Sequence, residues 1–202
     1  YRTIIILTPD HTHLEVIAAI NPKVADKTRI IYAHGFSITA QKIPQNYSRL
    51  SHLLLAPKAI ASEMRGMFLA KSPIPGVYSV EFSKEQDKDT QFLLSLGLKL
   101  GMGVTPFKVS AREETICDLF SEQSILCSTL PHAMRYSFDK LVEKGISPEL
   151  AYLECCFETK LIVNTILKKG FKEFFNIISP NALLGAKKAL EKIDASGYNS
   201  SL

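Results

Sequence analysis

The feature that most constrains this chain is a change of period near residue 110. Before it, five short apolar runs recur: TIIILT (3–8), RIIYAH (29–34), LSHLLLAP (50–57), GVYSVEFS (76–83) and TPFKVSA (105–111). Between them lie segments with helical spacing, HLEVIAAI, ASEMRGMFLAK and DTQFLLSLGLKLG. A run that is apolar at consecutive positions has no face left for water, so the sheet it joins must be covered on both sides. Strands interleaved with helices in this way predict a parallel sheet in an α/β layer.

From Arg112 onward the period becomes 3.6. EETICDLFSEQSILCSTL, HAMRYSFDKLVEKG, SPELAYLECCFETKLIVNTILKKG and ALLGAKKALEKI all read as helices. Ser147-Pro148-Glu149 is a helix start, with Ser as N-cap and Pro at the first helical position. Gly145 and Gly170 are the expected stops. The predicted architecture is an α/β domain over residues 1–110 followed by an all-α domain over 111–202.

Composition narrows the class further. The chain has 202 residues, 46% hydrophobic and 22% charged, which are the proportions of an ordinary globular protein. Its net charge of +4 is dispersed. The densest basic stretch, Lys168 to Lys172, reads as a solvated helix end, so no nucleic-acid partner is expected. Cys117, Cys127, Cys155 and Cys156 lack CxxC spacing, and two are adjacent, which fits reduced thiols in the cytoplasm. No apolar run approaches the roughly 18 residues of a membrane span, and no signal peptide is visible, so no membrane partner is expected. The chain begins at Tyr1, without Met, directly inside a strand-like run. We expect its true beginning to lie upstream.

The helical half poses a charge problem. Asp118 and Glu122 sit four apart, as do Glu154 and Glu158, and neither pair has a Lys or Arg at the next four-residue step. Like charges at that spacing repel by roughly 0.2–0.5 kcal/mol on an exposed helix, and by more when desolvated. Exposed acidic surface is one explanation. The other is convergence into a hard oxygen site for Mg2+ or Mn2+. A di-iron centre usually adds a Glu-x-x-His repeat, which neither glutamate of the second pair begins. Zinc is disfavoured because His and Cys are absent at finger spacing.

In the first half, three loops follow strand ends: TPDHTH (8–13), AHGFS (33–37) and APKA (56–59). The carboxyl ends of parallel strands are where ligands bind. His34 and Lys58 could each be ordinary loop residues; their shared position at strand ends singles them out.

These fragments, in this order, resemble ketol-acid reductoisomerase, a branched-chain amino-acid enzyme family. The matching segments are LTPDHTHLEV, YAHGFS, LLAPK, REETICDLFSEQSILC, SPELAYLECCFETKLIV and ISPNA. The resemblance implies a Rossmann-type dinucleotide domain, of which this chain carries part, and a knotted helical domain. It implies that Asp118 and Glu122 ligate a pair of magnesium ions together with Glu154 and Glu158 of a partner subunit, in a homodimer with a shared active site. It also implies that Ser179 binds substrate, that His34 and Lys58 are catalytic beside Glu122, and that Asp10, His11, Thr12 and His13 contact the cofactor, NADPH or NADH. The family converts 2-hydroxy-3-keto acids to 2,3-dihydroxy acids by alkyl migration and hydride transfer.

The chain also departs from the family pattern. No GxGxxG turn is present, and the first glycine is Gly35. Ala59-Ile60-Ala61 replaces a Pro-Gly turn, Ser121 replaces a glycine, Phe157 stands at a position usually His, and Pro180 and Leu183 interrupt the pattern after Ser179. Two other readings therefore stand beside a full enzyme: a non-catalytic relative that keeps the metal site, and an oxidoreductase acting on another 2-keto acid.

Overall fold

The computed structural model of the protein describes residues 2–103 and 106–196. These fall into two compact units, one running through Leu119 and the other from Phe120 on.

The first unit is built on a five-stranded sheet: β1 (Thr3–Ile6), β2 (Arg29–Tyr32), β3 (Ser51–Pro57), β4 (Gly76–Phe82) and β5 (Phe107–Lys108), in that spatial order. All five apolar runs thus form strands, although the last is only two residues long and its Thr105 lies outside the described residues. Helices α1 (His13–Ile20), α4 (Ala61–Leu69) and α5 (Gln86–Lys99) are the elements expected between them; two four-residue turns, α2 (Phe36–Thr39) and α3 (Ile43–Asn46), also precede β3.

Both faces of the sheet are covered. On one, Ile6, Ile30, Tyr32, Leu54 and Ala56 pack with Ile17 of α1; on the other, Ile31, Leu53 and Leu55 pack with Leu93 of α5 and with Met102. The buried Tyr32 hydroxyl is spoken for: the Nε2–H of His52 donates to the Tyr47 carbonyl at 3.1 Å, so its Nδ1 accepts from Tyr32 at 3.0 Å. Burial pushes the Tyr32 phenol well above its usual range and the His52 imidazole below its own.

The sheet differs from an all-parallel one at a single joint. β1, β2 and β3 run parallel, β4 runs antiparallel to β3, and β5 runs parallel to β4. The cause lies in the connection through α4. It leaves at Pro57 and returns to the same end, where Gly76 pairs opposite Pro57 and the Lys58 amide donates to the Pro75 carbonyl at 2.8 Å. A chain that re-enters at the end it left can only run back. Mixed sheets of this kind are common in α/β folds.

Helix α6 (Ala111–Ser121) carries the last residues of the first unit. Among its described residues the second unit has helices as its only regular elements. It contains a π-helical stretch Glu122–Thr129, α7 (Leu130–Glu143), α8 (Pro148–Tyr152), a π-helical turn Leu153–Phe157, α9 (Glu158–Ile177) and α10 (Pro180–Ala195). Ser147 caps α8 as its sequence predicts, accepting from the Leu150 amide at 3.3 Å. Gly145 ends its helix in the left-handed region at φ 86°. Gly170 instead breaks α9 without ending it: its φ of 79° and ψ of 163° interrupt the helix, which resumes at Phe171. No proline blocks the restart until Pro180.

Ala151 is the only fully buried residue among the described residues of this unit. Large apolar side chains are left outside, among them Leu153, Phe157, Leu161, Leu167 and Phe171. Among the described residues no helix is long and apolar enough to cross a membrane.

Candidate active site

The site in the first unit grows from three loops at strand ends and the first turns of α6. After β1, the segment from Thr8 turns sharply: Thr12 Oγ1 donates to the Pro9 carbonyl at 2.8 Å. The Gln41 amide donates to the Asp10 carbonyl at 3.1 Å. His13 opens α1 facing inward, only 2% exposed. Its Nε2–H donates to the Thr8 carbonyl at 2.8 Å, which leaves Nδ1 to accept from the Ser37 hydroxyl at 2.7 Å. His11, by contrast, is exposed.

After β2, Gly35 permits α6 to come close. A Cβ at this position would stand 2.5 Å from the Ala111 carbonyl oxygen and 2.8 Å from Glu114 Oε2. Only hydrogen fits there, so the Gly35 amide can donate directly to Glu114 Oε2 at 2.7 Å.

The loop after β3 contributes Lys58, whose Nζ donates to Glu114 Oε1 at 2.5 Å and Asp118 Oδ1 at 2.7 Å. Burial by itself would lower the pKa of this ammonium. Its hydrogen bonds to Asp118 and Glu114, with their charges, outweigh that, and the pKa lies above the ordinary lysine value.

His34 completes the group. Its Nδ1 lies 3.2 Å from Asp10 Oδ2. Its Nε2 lies 3.3 Å from Asp118 Oδ2 and 3.7 Å from Glu114 Oε2. That Nε2 is buried and forms no hydrogen bond. His34, Glu114 and Asp118 are the one group among the described residues whose ligand-type atoms all lie within 4.8 Å of one another. Next to it opens an apolar cavity of about 380 Å³. Its wall includes Leu7, Ala33 and Pro57, the residues immediately before Thr8, His34 and Lys58.

Of the residues singled out in the sequence, Asp10, His34, Lys58 and Asp118 therefore meet in one place. Glu122, Glu154, Glu158 and Ser179 lie in the second unit, on its exposed surface. Ser179 is the N-cap of α10 and accepts from the Ala182 amide at 3.2 Å. Glu154 falls within the second π-helical turn, Glu158 directly follows it, and Glu122 opens the first.

Sequence reasoning missed Glu114, the most deeply buried acid of the cluster, with a side chain 1% exposed. The signal was available. Glu114, Asp118 and Glu122 recur at four-residue spacing along the sequence, so Glu114 extends the Asp118/Glu122 pair by one step.

A parallel-dominated sheet with a histidine and a lysine at its strand ends and carboxylates on the helix that follows, leading into a helical unit, defines a class of two-domain α/β-plus-α folds. The comparisons specify the family. Residues 2–106 match the acetohydroxy acid isomeroreductase, NADPH-binding domain, and residues 111–199 match the ketol-acid reductoisomerase, C-terminal domain. The chain is 36% identical over 186 residues to the ketol-acid reductoisomerase (NADP(+)) of Campylobacter concisus (strain 13826), covering 90% of this chain and 54% of that protein. It is 35% identical over 185 residues to the enzyme of the same name from Methanococcus maripaludis (strain C7 / ATCC BAA-1331), covering 89% and 54%. The solved structure of an NADH-preferring ketol-acid reductoisomerase from an uncultured archean superposes with a TM-score of 0.80 at 30% identity, over 95% of this chain and 58% of that one. This chain belongs to the ketol-acid reductoisomerase family. It spans about half the length of the curated relatives it matches.

Proposed function

We propose that the protein is a magnesium-dependent ketol-acid reductoisomerase of the cytoplasm. It would convert 2-acetolactate-type 2-hydroxy-3-keto acids to 2,3-dihydroxy acids with NADPH, in valine and isoleucine biosynthesis. The observation that carries this reading is the cluster of His34, Lys58, Glu114 and Asp118, assembled at strand ends in a chain of this family.

The oxygen donors fit a hard cation: the carboxylates of Glu114 and Asp118 converge, while the His34 nitrogen beside them, a ligand type of softer metals, is buried and forms no hydrogen bond. In this reading Asp118 and Glu122 hold the ions from one subunit, and Glu154 and Glu158 from a second. The exposure of both glutamates, and of the apolar side chains around them, supports a homodimer with a shared site. The functional domains are residues 1–110 for the dinucleotide and 111–202 for metal, substrate and dimer contacts.

When bound, the ions supply Lewis acidity that lowers the cost of negative charge on neighbouring substrate oxygens, and the nicotinamide supplies hydride. The chain's own residues do the rest. Glu114 holds the Lys58 ammonium in place, so its proton is available to a developing oxyanion at the strand ends. His34 Nε2 faces the same space and can accept a proton. Ser179 would bind the substrate. The apolar cavity lined by Leu7, Ala33 and Pro57 can shelter a flat nicotinamide ring from water, and Asp10, His11, Thr12 and His13 would contact the cofactor.

The test is magnesium-dependent consumption of NADPH with 2-acetolactate by the full-length protein. Glu122→Gln is expected to abolish it while helical content by circular dichroism stays nearly unchanged. Turnover at the parent rate in that variant would remove Glu122 from the metal site. Turnover of a simple 2-keto acid with none of acetolactate would replace the reaction.

A further inference from the structure

The three histidines of the first unit's core and site are not held alike. His13 and His52 each donate from Nε2 to a backbone carbonyl, and so carry the proton on Nε2. His34 is held the other way round. Its Nδ1 stands in hydrogen-bond geometry to the Asp10 carboxylate at 3.2 Å, whereas Nε2, although near two carboxylates, forms no hydrogen bond, so the proton is assigned to Nδ1. Its Nε2 then presents a bare lone pair to the Glu114 and Asp118 end of the site.

We infer that Asp10 is the positioning residue of His34: it fixes the Nδ1–H tautomer and thereby the acceptor character of Nε2. The remaining contacts make Asp10 a stiff partner. His13, Thr12 and Gln41 all bond to backbone carbonyls of the Thr8–Asp10 loop. The ring of His34 is aligned with Phe36 at 6.4 Å and 10° between planes. Ring orientation is thus set by Phe36, and proton placement by Asp10. A neutral imidazole in water has no such constraint, whereas a hydrogen bond to a charged acceptor supplies a preference of about tenfold or more.

This role differs from cofactor contact, and its test does not depend on the proposed reaction. The full protein would be labelled with ring-15N histidine and observed at a pH above the titration of its imidazoles, with His34 assigned by the signal lost in His34→Gln. In the parent, His34 should show a protonated Nδ1 and an unprotonated Nε2, opposite to the buried His13 and His52. In Asp10→Ala that pattern should be lost, with Nε2–H becoming the major form, while His52, held by Tyr47 and Tyr32 rather than by Asp10, keeps its shifts. A parent His34 already in the Nε2–H form would overturn the inference, as would an unchanged Nδ1–H pattern in Asp10→Ala. The parent spectrum alone decides the first point, whatever the variant does. Absence of acetolactate turnover would count against the proposed reaction and leave the tautomer result standing.

Discussion

Replacing Lys58 by Met tests the electrostatic centre of the site most directly. Methionine keeps the length and apolar stem of lysine and removes only the charge. What it leaves behind differs at the two partners. Glu114 is 1% exposed and would retain the Gly35 amide alone, so stripping its cationic partner should cost about 1–3 kcal/mol. Asp118 is 27% exposed and Lys58 itself 34%, so that half of the interaction is screened by water and is worth about 0–1 kcal/mol. Together the variant should lose about 1–4 kcal/mol at neutral pH, at most comparable to breaking a wholly buried pair. The chain has no Trp, so urea unfolding would be followed by far-UV circular dichroism and tyrosine fluorescence. The pH dependence has a defined sign. Lys58 has its pKa raised on folding, so its contribution is complete below the unfolded lysine value of 10.5 and fades as pH rises through the folded one. The gap between parent and variant should therefore stay constant from neutral pH to about 9 and shrink at higher pH. A variant within about 0.5 kcal/mol of the parent at neutral pH would refute the argument that Glu114 depends on Lys58.

Gly35→Ala should destabilise by about 1–3 kcal/mol, because its methyl group meets the Ala111 carbonyl and α6 must retreat; thermal unfolding would measure it. The same retreat should weaken any divalent binding at Asp118, checked by titration calorimetry with magnesium. Tyr32→Phe removes the donor to His52 Nδ1 and should cost about 1–2 kcal/mol by urea unfolding, with the His52 ring nitrogen shifts moving in the same variant.

The strands were legible because consecutive apolar residues leave a backbone little choice beyond a doubly covered sheet. Strand direction was not, since β4 runs backwards for a reason that resides in the path of the chain from Pro57 to Gly76 rather than in the composition of β4. His34, Lys58 and Asp118 could be picked out by position at strand ends or by spacing on a helix. Their pairing could not, because Asp10 meets His34 only after β1 and β2 lie side by side. Glu114 was passed over beside Glu113, which bonds locally to Ser110 at the surface. Sequence does not say which of two adjacent acids faces inward. The π-helical stretches were equally invisible, since a period of 3.6 and one slightly longer look alike over a turn or two.

Those π-helical turns carry a consequence for how this protein can change. Each is equivalent to one residue more than an α-helix needs, and each begins at or encloses an acid of the two carboxylate pairs. Losing a single codon within Leu153–Phe157 would let regular helix close up and leave everything downstream, Glu158 included, close to its present aim, whereas the same loss in regular α-helix would turn the downstream residues by about 100° around the axis. The π-helical turns are therefore the places in this unit where chain length can change by one residue, while a one-residue deletion elsewhere on these helices re-aims a whole segment at once.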